Sequence, residues 1–274
     1  MIITIILGQV TRGTVRWIPI GSLSFQPSEI VRPLLLVFFA NFMTQKQINF
    51  KRLIQILFLM ALPLFLILVQ PSLGVTVLTA IGFLGVFLAS ELDKKIFLYL
   101  LIIIMAIVPV VFIFLAPYQK QRITTFFDPS EDPLGAGYNS IQSMISVGSG
   151  ELTGRGLGKG VQTQLAFLPE RHSDFIFASI GEEMGFLGAM MLLVVTMILY
   201  GRIASFTEKS ISPAARAFLA GVFLTLFTQT VVHVGMNMGL LPITGVPYPL
   251  VSAGGSSLLA TMTSLGIVLG TKKS

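Results

Sequence analysis

Residues 175–200 read FIFASIGEEMGFLGAMMLLVVTMILY, a run whose only charged members are Glu182 and Glu183. Its length and hydropathy suit a helix crossing a hydrocarbon core, which takes about 20 apolar residues. Comparable runs occur at 34–42, 53–69, 75–89, 96–116, 218–232 and 250–269, making seven spans, some of them short or broken. With 54% hydrophobic and 11% charged residues, the chain lies far from the balance of a water-soluble domain. The runs are too continuously apolar for the alternation of a membrane barrel, and backbone groups at that depth have no water to bond, so each must be helical. The expected fold is an all-α polytopic membrane protein: one domain over 1–274 with about seven transmembrane helices, one long polar loop at 116–173 and a C-terminal three-helix part at 175–274.

Residues 1–8 are apolar but have no basic segment before them and no small-residue cleavage site after them, so they read as the remnant of a span rather than a signal peptide. The chain has no cysteine, which removes disulfides and thiolate metal sites. A sequence pI near 9.7 raises nucleic acid as a partner. The eighteen basic residues are spread over short loops rather than one face, however, so no nucleic-acid partner is expected. Ten of them, from Lys46 to Lys273, fall on one side if the spans alternate, which makes that side and the C-terminus cytoplasmic.

The other eight, Arg12, Arg16, Arg32, Lys120, Arg122, Arg155, Lys159 and Arg171, are assigned to the opposite side. Long loops translocate whatever their charge, which is one account of them. The other is an anion site, since Arg and Lys are what a phosphate or pyrophosphate needs. Eight glycines between 135 and 160 either expose backbone amides to phosphate or make a flexible loop. Asp128-Pro129 and Asp132-Pro133 read as turn punctuation, with metal binding the lesser reading. The stretch 168–175, LPERHSDF, sets Glu170 and Asp174 four residues apart where the loop re-enters the membrane. A partly desolvated carboxylate there suits a general base; equally, Asp174 and Ser173 could cap the helix that follows. Glu182 and Glu183, deeper in that helix, take Arg32 as counter-charge in a structural ion pair, with Glu29 on the same face as Arg32. His233 is read as an interhelical hydrogen-bond partner.

The residues that tie the chain to a family run from end to end. They are RWI at 16–18, FQPSE at 25–29, QPSLG at 70–74, DP at 128–129 with DPLGAGY at 132–138, QS at 142–143, GSG at 148–150, 168–178, GEE at 181–183, GVPYPLVS at 245–252 and GGS at 254–256. In these motifs the chain resembles the SEDS family (shape, elongation, division and sporulation), membrane glycosyltransferases that polymerise peptidoglycan; LPERH and GVPYPLVS resemble its elongation (RodA) branch more than its division (FtsW) branch.

The resemblance implies a reaction on lipid II, in which the 4-hydroxyl of one GlcNAc attacks the anomeric carbon of a MurNAc carried on undecaprenyl pyrophosphate. It maps the family's essential loop Asp onto Asp174, with Glu170 a second candidate. Arg122, Lys159 and Arg171 are expected at the pyrophosphate, from charge and position, and Gln26 and Ser28 of the FQPSE motif among the substrate-binding residues. A divalent cation, Mg or Mn, could assist there. A class B penicillin-binding protein is the implied partner, and the bacterial cytoplasmic membrane the implied location. Ser72, Glu151, Ala253 and His233 depart from the family pattern, and the first two spans with most of the third are absent. The competing functions are a flippase for the lipid-linked precursor, using Arg32, Glu182 and Glu183 as a path, and a shortened non-catalytic membrane scaffold.

Overall fold

A computed structural model of the chain describes residues 9–11, 14–20, 23–70, 72–90, 98–99, 102, 117–128, 135–165 and 167–271. The expected remnant at 1–8, nearly all of the span at 96–116 and the Pro129 to Pro133 part of the Asp-Pro turns lie outside these residues. A short antiparallel meander comes first: β1 (Gln9–Thr11), β2 (Thr14–Ile20) and β3 (Leu23–Phe25). Pro19 sits within β2, where among the described residues β1 pairs with the first half of that strand and β3, through Ser24 opposite Pro19, with the second.

The membrane body is helical, as expected. Its apolar helices are α1 (Pro27–Thr44), α2 (Phe50–Val69), α3 (Leu73–Ala89), α7 (Ile176–Lys209), α8 (Pro213–Asn237) and α9 (Gly255–Gly270), and each falls on one of the sequence runs. Among the described residues α2, α7 and α8 are long and apolar enough to cross a membrane, while α3 and α9 are shorter apolar helices. Helix α8 is central, packed against α1, α3 and α7. It approaches α3 most closely where glycines meet: a Cβ on Gly85 would stand 2.7 Å from the Ala220 carbonyl oxygen, and one on Gly221 3.0 Å from the Gly82 carbonyl oxygen. Small residues at a crossing let backbones approach, which is how helices gain packing energy in lipid. Phe39, Phe83, Phe218 and Leu226 fill the core beside this contact.

Two regions differ from the sequence expectation. The stretch read as one loop at 116–173 contains α4 (Pro117–Phe127), α5 (Ala136–Ser149) and the single turn α6 (Val161–Gln164). The last span begins at Gly255, not at 250. Residues 238–254 are an irregular segment that packs on the bundle through the buried Val246 and Tyr248, and Leu250, with a φ of 65°, lies outside helical geometry.

Helix α7 is broken at Gly185, whose φ of 64° and ψ of −165° only glycine adopts readily. In an unbroken helix the amides of Phe186 and Leu187 would bond the carbonyls of Glu182 and Glu183. Here residues 151–156 are inserted into that ladder. Phe186 N donates to the Glu151 carbonyl at 2.8 Å and Leu187 N to that of Leu152 at 3.1 Å, while the Glu182 and Glu183 carbonyls accept from Arg155 N and Gly156 N, each at 3.0 Å. These four groups released by the break are therefore paired again, as a membrane-boundary helix requires. The insertion holds Glu151 at a φ of 50°, a left-handed conformation that strains a residue with a Cβ.

Two substitutions test this junction in opposite directions. Gly185→Ala should destabilise the purified protein by at least about 2 kcal/mol, since its Cβ would also stand 2.7 Å from the Leu152 backbone. Glu151→Gly should raise stability by about 1 kcal/mol. Thermal unfolding followed by tryptophan fluorescence or monomer-peak loss measures both, and an unchanged Gly185→Ala midpoint would contradict the ladder.

Candidate active site

Asp174 lies two residues before the start of α7, half-buried, with its Oδ2 3.4 Å from where a Cβ on Gly245 would stand. Glu170 adopts a φ of 50°, and its carbonyl accepts from Ser173 N and Phe175 N at 3.0 and 3.2 Å, so 170–175 forms a tight turn. The Ser173 hydroxyl donates to the Glu170 carboxylate at 2.7 Å. Glu170 thus shapes the turn that carries Asp174.

Capping of α7 is done from another helix. The N-cap position is Phe175, with no side-chain cap. The Asn237 amide at the end of α8 spans the gap: its Oδ1 accepts from Ala178 N at 3.0 Å, and its Nδ2 donates to the Asp174 and His233 carbonyls at 3.0 and 2.8 Å. Sequence reading passed over Asn237, although its polarity four residues after His233 on one helix face was a usable signal.

The irregular segment 238–254 closes around the same turn. The Ser252 hydroxyl donates to the Ser173 carbonyl at 2.6 Å, and Ala253 N to the His172 carbonyl at 2.8 Å. His233 Nδ1 lies 2.7 Å from the Val246 carbonyl, so its partner is this segment rather than a neighbouring helix, and the ring stands edge-on to Tyr248. Gly74, at the start of α3, packs on Thr244 and Val246. The Arg122 guanidinium bonds the Ile243 carbonyl at 3.3 Å, two residues from the glycine beside Asp174. A carboxylate and an arginine that are 52 positions apart in sequence therefore share one scaffold.

The other expected site residues are distributed differently. Arg171 donates through Nη1 to the Thr163 carbonyl and through Nε to His172 Nε2 at 3.2 Å, which leaves N–H groups of its fork for a ligand. Lys159 is exposed on the inserted segment, not in the Asp174 turn. Gln26 and Ser28 are buried: Gln26 N donates to Ser256 Oγ at 2.7 Å, and its side chain to Ser72 Oγ at 3.2 Å, so Gln26 joins three helix ends. The departure at Ser72 is accommodated in that joint.

The expected pairing of Arg32 with Glu182 and Glu183 is not formed. The Glu182 carboxylate is fully buried and accepts from Gln162 N, Thr163 N and Thr163 Oγ1 at 2.8, 2.9 and 2.5 Å, while Glu183 accepts from the Gln164 side chain at 3.1 Å. Arg32 instead lines a small cavity with Thr225, Thr261 and Ser264, with Glu29 as its nearby opposite charge. The physical reason is the break at Gly185, which brings 160–164 against α7 and lets amide donors satisfy the acid. The charges proposed as a flippase path are therefore separated into two independent structures.

Fold and site together define a multi-pass membrane protein with a carboxylate and arginines gathered at one end of its helix bundle. The chain belongs to the FtsW/RodA/SpoVE family of cell cycle proteins, whose sequence profile matches residues 1–274. It is 39% identical over 265 residues to the peptidoglycan glycosyltransferase MrdB of Escherichia coli K12, covering 96% of this chain and 72% of that protein. It is 36% identical over 278 residues to the probable peptidoglycan glycosyltransferase FtsW of Buchnera aphidicola subsp. Baizongia pistaciae, covering 98% and 72%. Among solved structures it is similar to a chain of a peptidoglycan synthase complex described for its coordination of polymerization and crosslinking, with a TM-score of 0.80 at 30% identity over 99% of this chain and 77% of that one. It is also similar to the rod shape determining protein RodA of Thermus thermophilus, with a TM-score of 0.66 at 26% identity over 98% and 72%. Membership of this family and the apolar helices make it a multi-pass protein of the bacterial inner membrane.

Replacing Asn237 with Leu should leave the Ala178 amide and the Asp174 carbonyl unpaired and cost about 2–4 kcal/mol of stability. Glu182→Ala should release 160–164 from α7, seen as faster tryptic cleavage after Arg155 and Lys159 in bilayer discs; wild-type cleavage rates in that variant would refute the anchoring role.

Proposed function

We propose that this chain is a peptidoglycan glycosyltransferase of cell elongation and cell-shape control that polymerises lipid II at the outer face of the inner membrane, with Asp174 as general base. The observation that carries this reading is the Asp174 carboxylate beside Gly245, on the same segment that anchors Arg122. The similarity to named peptidoglycan glycosyltransferases supports the reaction class.

In this reading the 4-hydroxyl oxygen of one GlcNAc forms a bond to the anomeric carbon of the other molecule's MurNAc as the bond to pyrophosphate breaks, with inversion. The hydroxyl proton passes to Asp174, a half-buried carboxylate presented by the 170–175 turn. Undecaprenyl pyrophosphate leaves with its negative charge, met by Arg122 and the unused N–H groups of Arg171. Glu170 orients the turn through Ser173 and does not itself accept the proton. Among the described residues no three His, Cys, Asp or Glu side chains gather as ligands, and no step is assigned to a protein-held ion. Mg2+ or Mn2+ enters only as a companion of the substrate pyrophosphate, whose oxygens would supply most of its ligands. The loop side is exterior, the C-terminus cytoplasmic, and a class B penicillin-binding protein crosslinks the glycan as it is made.

Purified protein with its penicillin-binding partner should convert lipid II into glycan strands. Asp174→Asn should lower that rate by about 10²-fold or more, and Arg122→Gln by about tenfold, the loss of one charge-assisted contact to the leaving group. Asp174→Asn protein that polymerises at the wild-type rate removes the assigned base.

A further inference from the structure

Segment 151–167 carries a set of exposed apolar side chains that the site chemistry does not use. Leu152, Leu157 and Leu165 are 66%, 75% and 64% exposed, and Val161 and Phe167 are also exposed. Arg155 and Lys159 alternate with them, both exposed, and Glu151 is the one acid of the segment open to its surroundings.

The height of this segment in the bilayer follows from its hydrogen bonds. Leu152 is bonded to Leu187, Glu151 to Phe186, Arg155 and Gly156 to Glu182 and Glu183, and Gln162 and Thr163 to the Glu182 carboxylate. From 151 to 163 the segment thus lies level with residues 182–187 of α7. Beyond that level α7 exposes Met190, Met191, Val194, Val195 and Ile198, a face suited only to lipid. Arg202 is the next charge on the helix. Leu187 is fifteen positions before it, about 22 Å along the axis, within the about 30 Å of hydrocarbon between the headgroup layers. Leu152 therefore stands about 8 Å inside the upper edge of the hydrocarbon, and Arg155 and Gly156, about one turn higher, stand at that edge.

We propose that residues 151–167 form an interfacial element of the outer leaflet. Leu152, Leu157, Val161 and Leu165 enter the upper acyl region, and Arg155 and Lys159 rest on phospholipid headgroup phosphates. Apolar side chains interleaved with cations at this depth are what a headgroup boundary selects, because the stems stay in lipid while the charges reach phosphate. Continuity with the lipid-facing surface of α7 supplies the occupant: the membrane itself, not a protein. This assignment moves Lys159 from the substrate pyrophosphate to the bilayer, and it holds whatever reaction Asp174 performs.

The absence of native cysteine makes the test clean. Leu157→Cys and Leu165→Cys proteins, spin-labelled in bilayer discs of phosphatidylethanolamine and phosphatidylglycerol, should collide with oxygen several-fold more than with a water-soluble nickel chelate. They should match a Val194→Cys lipid control and differ from a Lys46→Cys aqueous control. Labels at 157 and 165 that favour the nickel chelate as the aqueous control does would overturn the proposal. Replacing Arg155 and Lys159 together with Gln should reduce the gain in thermal midpoint that added phosphatidylglycerol gives the wild type. An undiminished gain would overturn the headgroup contact of the two cations. Both readouts are independent of glycan synthesis, so neither depends on the proposed reaction.

Discussion

A break in a membrane helix has to be mended by other backbone, and the repair at Gly185 organises everything around it. Two carbonyls and two amides freed from α7 are each paired by residues 151–156. At a membrane boundary an unpaired peptide group costs several kcal/mol, so the inserted segment cannot leave without stranding those four groups. That constraint sets the height of the segment and fixes α6 against the Glu182 carboxylate. Through Arg171 and the Thr163 carbonyl it also ties α6 to the turn that presents Asp174.

The second support is the irregular segment 238–254. It meets α3 at Gly74, α8 through His233 and Gln229, α7 through Thr196 and Tyr248, and the Asp174 turn through Ser252 and Ala253. A residue replaced there shifts several helix ends together. Asn237 completes the arrangement by capping α7 from α8. Catalytic groups held to a fraction of an ångström are usually supported in this way by side chains that touch no substrate.

The glycines show how one residue type serves different physical ends. Gly85 and Gly221 permit a helix crossing, Gly185 permits a helix break, and Gly245 leaves room for a carboxylate. Gly150 and Gly154, from the stretch whose glycine density offers a phosphate cradle or a flexible loop, pack on the Gly181 and Glu183 carbonyls of α7. The neighbours of all these glycines lie on other elements, and sequence spacing does not encode those.

Hydropathy alone determined the helical membrane class and the positions of α1, α2, α3, α7, α8 and α9, because burial in lipid demands long apolar runs whatever lies beside them. The motifs carried by the chain were enough to single out its family. Pairing was decided only by the tertiary structure. Glu182 took amide donors instead of Arg32, His233 took a carbonyl of 238–254 instead of a helix, and Gln26 became a joint among Ser72, Ser256 and α1. A charge or hydrogen-bonding group states in sequence that it needs a partner. Which partner it gets depends on the backbone that folding brings within about 3 Å, and for Glu182 a single break in one helix made that choice.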